Sequence, residues 1–68
     1  MLNRNELKAA IARKGYTQTR LAEAIGVTPR TFFSKMKKGN FGLVEMDAMI
    51  DVLDIKNPKE IFFSQTVT

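Results

Sequence analysis

The chain has 68 residues, eleven Lys or Arg against seven Asp or Glu, no cysteine, no histidine, and a formal net charge of +4. A chain of this length makes one small domain, burying a lower share of its surface than a typical domain and only marginally stable. The missing residue types exclude disulfides and thiolate or imidazole metal sites, while the opening MLNRNELK lacks a signal-peptide apolar run and no stretch is long enough to span a bilayer, so a soluble, cytoplasmic protein without metal or cofactor is expected.

Asn3 with Glu6 three residues later is the pattern of a capping box opening a first helix. Leu7, Ala10 and Ile11 form its inward stripe, and Gly15 stops it. Thr17 is the N-cap of a second helix, residues 18–25, whose buried side carries Leu21, Ala22 and Ile25 and whose end is set by Gly26. Thr28 caps a third helix with Pro29 at its first position, and this helix runs over 29–38 to Gly39. A fourth begins near Leu43, with Gly42 as a permissive cap and Glu45 favourably placed in the first turn. Met46, Met49, Ile50 and Leu53 share its buried face, and Asp47, Asp51 and Asp54 follow the same spacing on another. Asn57, Pro58 and Glu60 read as cap, first position and capping-box partner of a last turn through Ile61, Phe62 and Phe63, with residues 64–68 as a tail.

The expected fold is therefore all-α, a compact bundle of about five short helices, with residues 1–68 forming one domain. Its core collects Leu7, Ile11, Leu21, Ile25, Val27, Phe32, Met36, Phe41, Met46, Ile50, Leu53, Ile55 and Ile61. The methionines are expected to fill gaps in that core rather than to line a groove.

Helices two and three, joined across a glycine, match the helix-turn-helix of duplex readers, whose second helix lies in the major groove. The charge distribution agrees. Residues 1–38 hold nine Lys or Arg and two acids, a balance of +7, whereas residues 39–68 hold two Lys and five acids, a balance of −3. A first half so basic points to a polyanion partner. On the third helix, Phe32 and Met36 are one turn apart and face inward together. The opposite side holds Arg30, Ser34, Lys37 and Lys38, with Thr31 at its border and no acid among them. Arg30 is the candidate for direct readout, because a guanidinium can donate twice to guanine O6 and N7. Ser34 is a less selective reader, and Lys37 and Lys38 suit phosphate. Phe33 lies about 80° from the centre of the buried stripe, where packing on Phe41 is expected over contact with a thymine methyl. At the start of helix two, Gln18 sits beside free backbone amides that favour an anion, and Arg20 and Arg13 extend that contact.

With these residues in place, the chain resembles the Cro/repressor-type helix-turn-helix family of phage and bacterial regulators, the lambda-repressor-like or XRE family. The likeness is carried by TQTRLAEAIGV, by TPRTF at the start of helix three and by the closing KKG, followed by an aromatic, a helix with a late VLDI and a short terminal turn. It covers residues 5 to 63. The resemblance implies that Thr28, Pro29, Arg30 and Ser34 face base pairs, and that Gln18 contacts phosphate. Arg20, Thr31, Lys37, Lys38 and Asn40 complete the expected phosphate set. It further implies a transcriptional regulator that binds a double-stranded operator as a homodimer. Two features depart from the family pattern: Pro29 stands where a polar base-reader is common, and the stretch from Gly26 to Gly39 is one residue longer, so the inner pair is spaced by four.

An enzyme is not expected, since acid–base work would fall on carboxylates, lysines or Tyr16 in a chain too small for a deep pocket. The Asp47, Asp51, Asp54 stripe reads as a solvated face rather than a cation site. The rival reading is a small helix-turn-helix modulator or antitoxin that acts by binding a second regulatory protein. Ile61, Phe62, Phe63 and Val67 form an apolar C-terminal cluster that reads as core, homodimer seam or partner surface, with core expected for Ile61 and one phenylalanine and an interface for the remainder.

Overall fold

The computed structural model describes residues 2–63; the expected tail, 64–68, and Val67 within it lie outside the described residues. Among the described residues the chain forms helices and no strand: α1 (Arg4–Arg13), α2 (Gln18–Ala24), α3 (Pro29–Lys38), α4 (Leu43–Leu53) and α5 (Pro58–Phe62). No helix among them is long and apolar enough to cross a membrane.

The starts of these helices follow from their caps. Thr17 accepts the Arg20 N–H at 3.1 Å, and Thr28 accepts the Thr31 N–H at 3.3 Å, each satisfying an amide that has no partner within the helix. Asn3 likewise accepts the Glu6 N–H at 3.2 Å. The reciprocal arm of the expected capping box is absent for a tertiary reason: the Asn3 N–H donates instead to the Ile61 carbonyl at 2.7 Å, which ties the start of α1 to α5. At α4 the roles are reversed. Gly42 has no side chain to cap with, and its own N–H donates to Glu45 Oε1 at 2.9 Å. The cap expected at Asn57 is also different: its side-chain amide donates to Glu60 Oε2 at 3.0 Å and makes no bond to the α5 backbone. Phe63 terminates α5 rather than belonging to it.

The link between α2 and α3 is a Schellman turn. The Gly26 N–H donates to the Glu23 carbonyl and the Val27 N–H to the Ala22 carbonyl, at 3.2 and 3.0 Å. This geometry places Gly26 at φ +83°, with Ile25 as the cap residue just past the end of α2. A Cβ on Gly26 would meet no atom within 4 Å, so Gly26→Ala isolates backbone strain from steric clash. A left-handed alanine costs about 1–2 kcal/mol, and urea denaturation should report a loss of that size. An unchanged midpoint would mean that the turn can reopen without cost.

The core is built where all five helices meet. Leu7, Leu21, Phe32, Met49 and Ile61 are its largest fully buried side chains, with Ala10, Ile11, Ala22, Met36, Phe41, Leu53, Ile55 and Phe62 around them. One correction follows. Ile25, Val27, Met46 and Ile50, expected inside, are only half-buried at the margin, because they lie at helix ends or on the flank of α4. Ala10, Ala22 and Met49 are buried, as the inward faces of α1, α2 and α4 predict, and Phe62 is the phenylalanine that joins Ile61 in the core. Alanines on α1 and α2 leave room for the helices to approach, and Met49 takes the centre of the α4 face. The α2 helix packs on α3, α1 and α4, and α1 packs on α5, so α3 is held from one side and its other side is open.

Candidate nucleic-acid interface

On α3 the two faces separate cleanly. Phe32 is 0% exposed and Met36 is 5% exposed, while Arg30, Thr31, Ser34, Lys37 and Lys38 are exposed. The Phe32 ring lies 5.3 Å, centroid to centroid, from that of Phe41, just beyond the end of α3, and this aromatic pair anchors the helix to the loop that follows. Ser34 stands about 180° from the centre of the Phe32–Met36 stripe and Arg30 about 140°, which is why both face outward.

The flanks of the stripe behave differently from its centre. Phe33, about 80° away on one side, is 46% exposed. Its ring lies 6.3 Å, centroid to centroid, from that of Phe32 in an edge-to-face arrangement. The expected pairing with Phe41 is not formed; both rings pair with Phe32 instead. Lys35, about 80° away on the other side, is half-buried and its ammonium donates to Glu45 Oε2 at 2.5 Å. The Lys35 hydrogen bond holds the Glu45 carboxyl below the usual carboxylate range, against an opposing effect of burial, and the Gly42 N–H adds to the lowering.

Arg30, Thr31, Ser34, Lys35, Lys38 and Asn40 together line an open depression of about 430 Å³ along α3 and the turn after it. Five of these were candidate site residues from the sequence; Lys35 was not. Its partner Glu45 lies ten residues away with no periodic relation to it, so only the tertiary fold pairs them. The available signal was a cation at the flank of a buried stripe, where its stem packs on apolar surface and its ammonium is held at the rim.

The remaining candidates lie at the starts of α2 and α3, with Arg13 at the end of α1. Gln18 and Pro29 are half-buried, and Arg20, Thr28 and Arg13 are exposed. The Thr28 hydroxyl accepts the Thr31 N–H and donates its own proton to Thr31 Oγ1 at 2.9 Å. Thr28 therefore offers its methyl and a lone pair, whereas the Thr31 hydroxyl keeps its proton for an outside acceptor. Lys37 is exposed, and its carbonyl accepts from Arg4 Nη1 at 2.6 Å, so a cation from α1 closes the C-terminal end of α3.

Asp47 and Asp51 are exposed on α4, and Asp54 is paired with Lys56 at 3.0 Å and Lys14 at 3.6 Å. Those lysines, Lys56 first, lower the Asp54 carboxyl below its ordinary value. Among the described residues no three acidic side chains converge as a metal ion would require.

Residues 1–39 match the family described as Bacterial regulatory protein, Fis family. The matched segment ends at Gly39, the C-cap of α3, and so contains α1 and the whole α2–turn–α3 unit. No curated protein and no solved structure matches the chain. A basic, outward-facing second helix, set by a Schellman turn within the matched segment, agrees with that family description: the chain belongs to the Fis family of bacterial regulatory proteins and carries a helix-turn-helix DNA-binding domain.

Proposed function

We propose that the protein is a Cro/repressor-type transcriptional regulator of phage or prophage kind, which binds its operator as a homodimer by inserting α3 into the major groove. One observation carries this reading: the side of α3 turned away from Phe32 presents Arg30, Ser34, Lys37 and Lys38 with no acid among them. The residues beyond the matched segment also support it. The aromatic Phe41, a helix carrying VLDI at its end and a short final turn continue the order of the Cro-type family through residue 63. On this reading residues 1–68 act as one cytoplasmic DNA-binding domain.

The roles divide by chemistry. Arg30 donates to a guanine edge, Ser34 contacts a neighbouring base, and Pro29 and the Thr28 methyl make apolar contact with bases. Lys37, Lys38, Asn40 and the free proton of Thr31 bind phosphate on one side of the groove. Gln18 and Arg20, at the start of α2, bind it on the other, where the amides of the first turn favour an anion. A homodimer places its half-sites about 34–36 Å apart, one duplex turn.

Selection from random duplexes at physiological salt, followed by salt titration on the recovered sequence, tests this reading. A repeated half-site at that spacing is expected, with log K falling against log salt by about 0.9 per neutralised phosphate. Recovery of no common sequence together with salt-independent binding would overturn the reading and favour a chain that acts through a second regulatory protein.

A further inference from the structure

Lys35 is the cation on α3 that the duplex-binding reading leaves without a role. It lines the same depression as Arg30, Ser34 and Lys38, yet its ammonium is bonded to Glu45 Oε2 at 2.5 Å. Glu45 is well suited to keep it. Its side chain is only 14% exposed, and both carboxylate oxygens are engaged, Oε1 by the Gly42 N–H at 2.9 Å and Oε2 by Lys35. The carboxylate is thus fixed at the start of α4 by the backbone, independently of the lysine it holds. A fixed acceptor makes a fixed pair, unlike an exposed ion pair between two mobile side chains.

We propose that Glu45 is a specificity residue for DNA recognition: it withholds Lys35 from the phosphate backbone, so that α3 meets the duplex with its base-reading groups and one fewer sequence-blind cation. The inference rests on the duplex-binding reading above. Phosphate contacts bind every sequence alike, and a lysine released on the flank of α3 would add such a contact to specific and random complexes equally. Affinity for random DNA would rise, and competing genomic sites would hold more of the protein. Pairing Lys35 with Glu45 removes that contribution.

The test compares the salt dependence of duplex binding for the wild type, Glu45→Gln and the double variant Lys35→Gln/Glu45→Gln. The side-chain carbonyl that Glu45→Gln retains still accepts the Gly42 N–H, so the α4 start is kept. The double variant has the same net charge as the wild type and needs no ion pair to hold it. On a random-sequence duplex, Glu45→Gln is expected to bind more tightly and to steepen the slope of log K against log salt by about 0.9, the value of one added phosphate contact. The double variant is expected to return to the wild-type slope. Three outcomes would overturn the proposal. An unchanged slope in Glu45→Gln would show that Lys35 does not reach phosphate when freed. A double variant as steep as Glu45→Gln would assign the effect to repulsion by Glu45 itself. A double variant shallower than the wild type would show that Lys35 already binds phosphate. A wild-type protein with no salt-dependent duplex binding would instead overturn the underlying reading, and the proposal with it.

Discussion

Phe32→Ala is expected to unfold most of the protein at 25 °C. Phe32 is fully buried, and it joins α3 to the following loop through its contact with Phe41. Truncating such a phenylalanine costs about 3–5 kcal/mol through lost burial and the cavity left behind. A core of this size rarely supplies more than about 3–5 kcal/mol in total, so the loss is comparable to the whole stability. Circular dichroism with urea denaturation checks this directly. Phe33→Ala is the control: its ring is 46% exposed, and the same truncation there should leave a folded, cooperative protein. Equal effects of the two would mean that α3 is not anchored through Phe32.

The second large effect concerns recognition. Arg30→Ala should lose about 1–3 kcal/mol of discrimination at one base pair per half-site, the value of a bidentate arginine–guanine contact. That corresponds to roughly a 5- to 150-fold loss of preference. Binding to other sequences should change far less. Lys37→Ala should instead weaken all duplexes alike and reduce the salt slope by about 0.9. Neither residue is part of the core, so both variants should melt as the wild type does. Competition binding against a set of single-base operator variants separates the two roles. Identical behaviour of the two mutants would contradict them.

Much of this architecture was legible in the residues because short-range physics sets it. Thr17 and Thr28 as caps, Pro29 at a first helical position, and Gly26 and Gly39 as left-handed stops define α2 and α3, and each choice depends on neighbours within one or two turns. The outward side of α3 followed equally directly from the placement of Phe32 and Met36 one turn apart. What escaped were features decided by distant parts of the chain. The Asn3 N–H is claimed by Ile61, fifty-eight residues on, so the local capping pattern is half realised. Met49 rather than Met46 or Ile50 occupies the centre of the core, since helical spacing identifies a face but not which member of it lies deepest. Nothing within a turn or two of Lys35 points to its partner, and only the packing of α4 brings Glu45 against it.

Nuclear magnetic resonance mapping of amide shifts during titration with a selected duplex tests the central claim most directly, that the open face of α3 enters the groove. The largest changes are expected at residues 28–38 and at the start of α2, around Gln18 and Arg20, with Phe32 and Met36 responding only through their backbone. Changes concentrated on α4 and α5, with Arg30 and Ser34 unmoved, would contradict it.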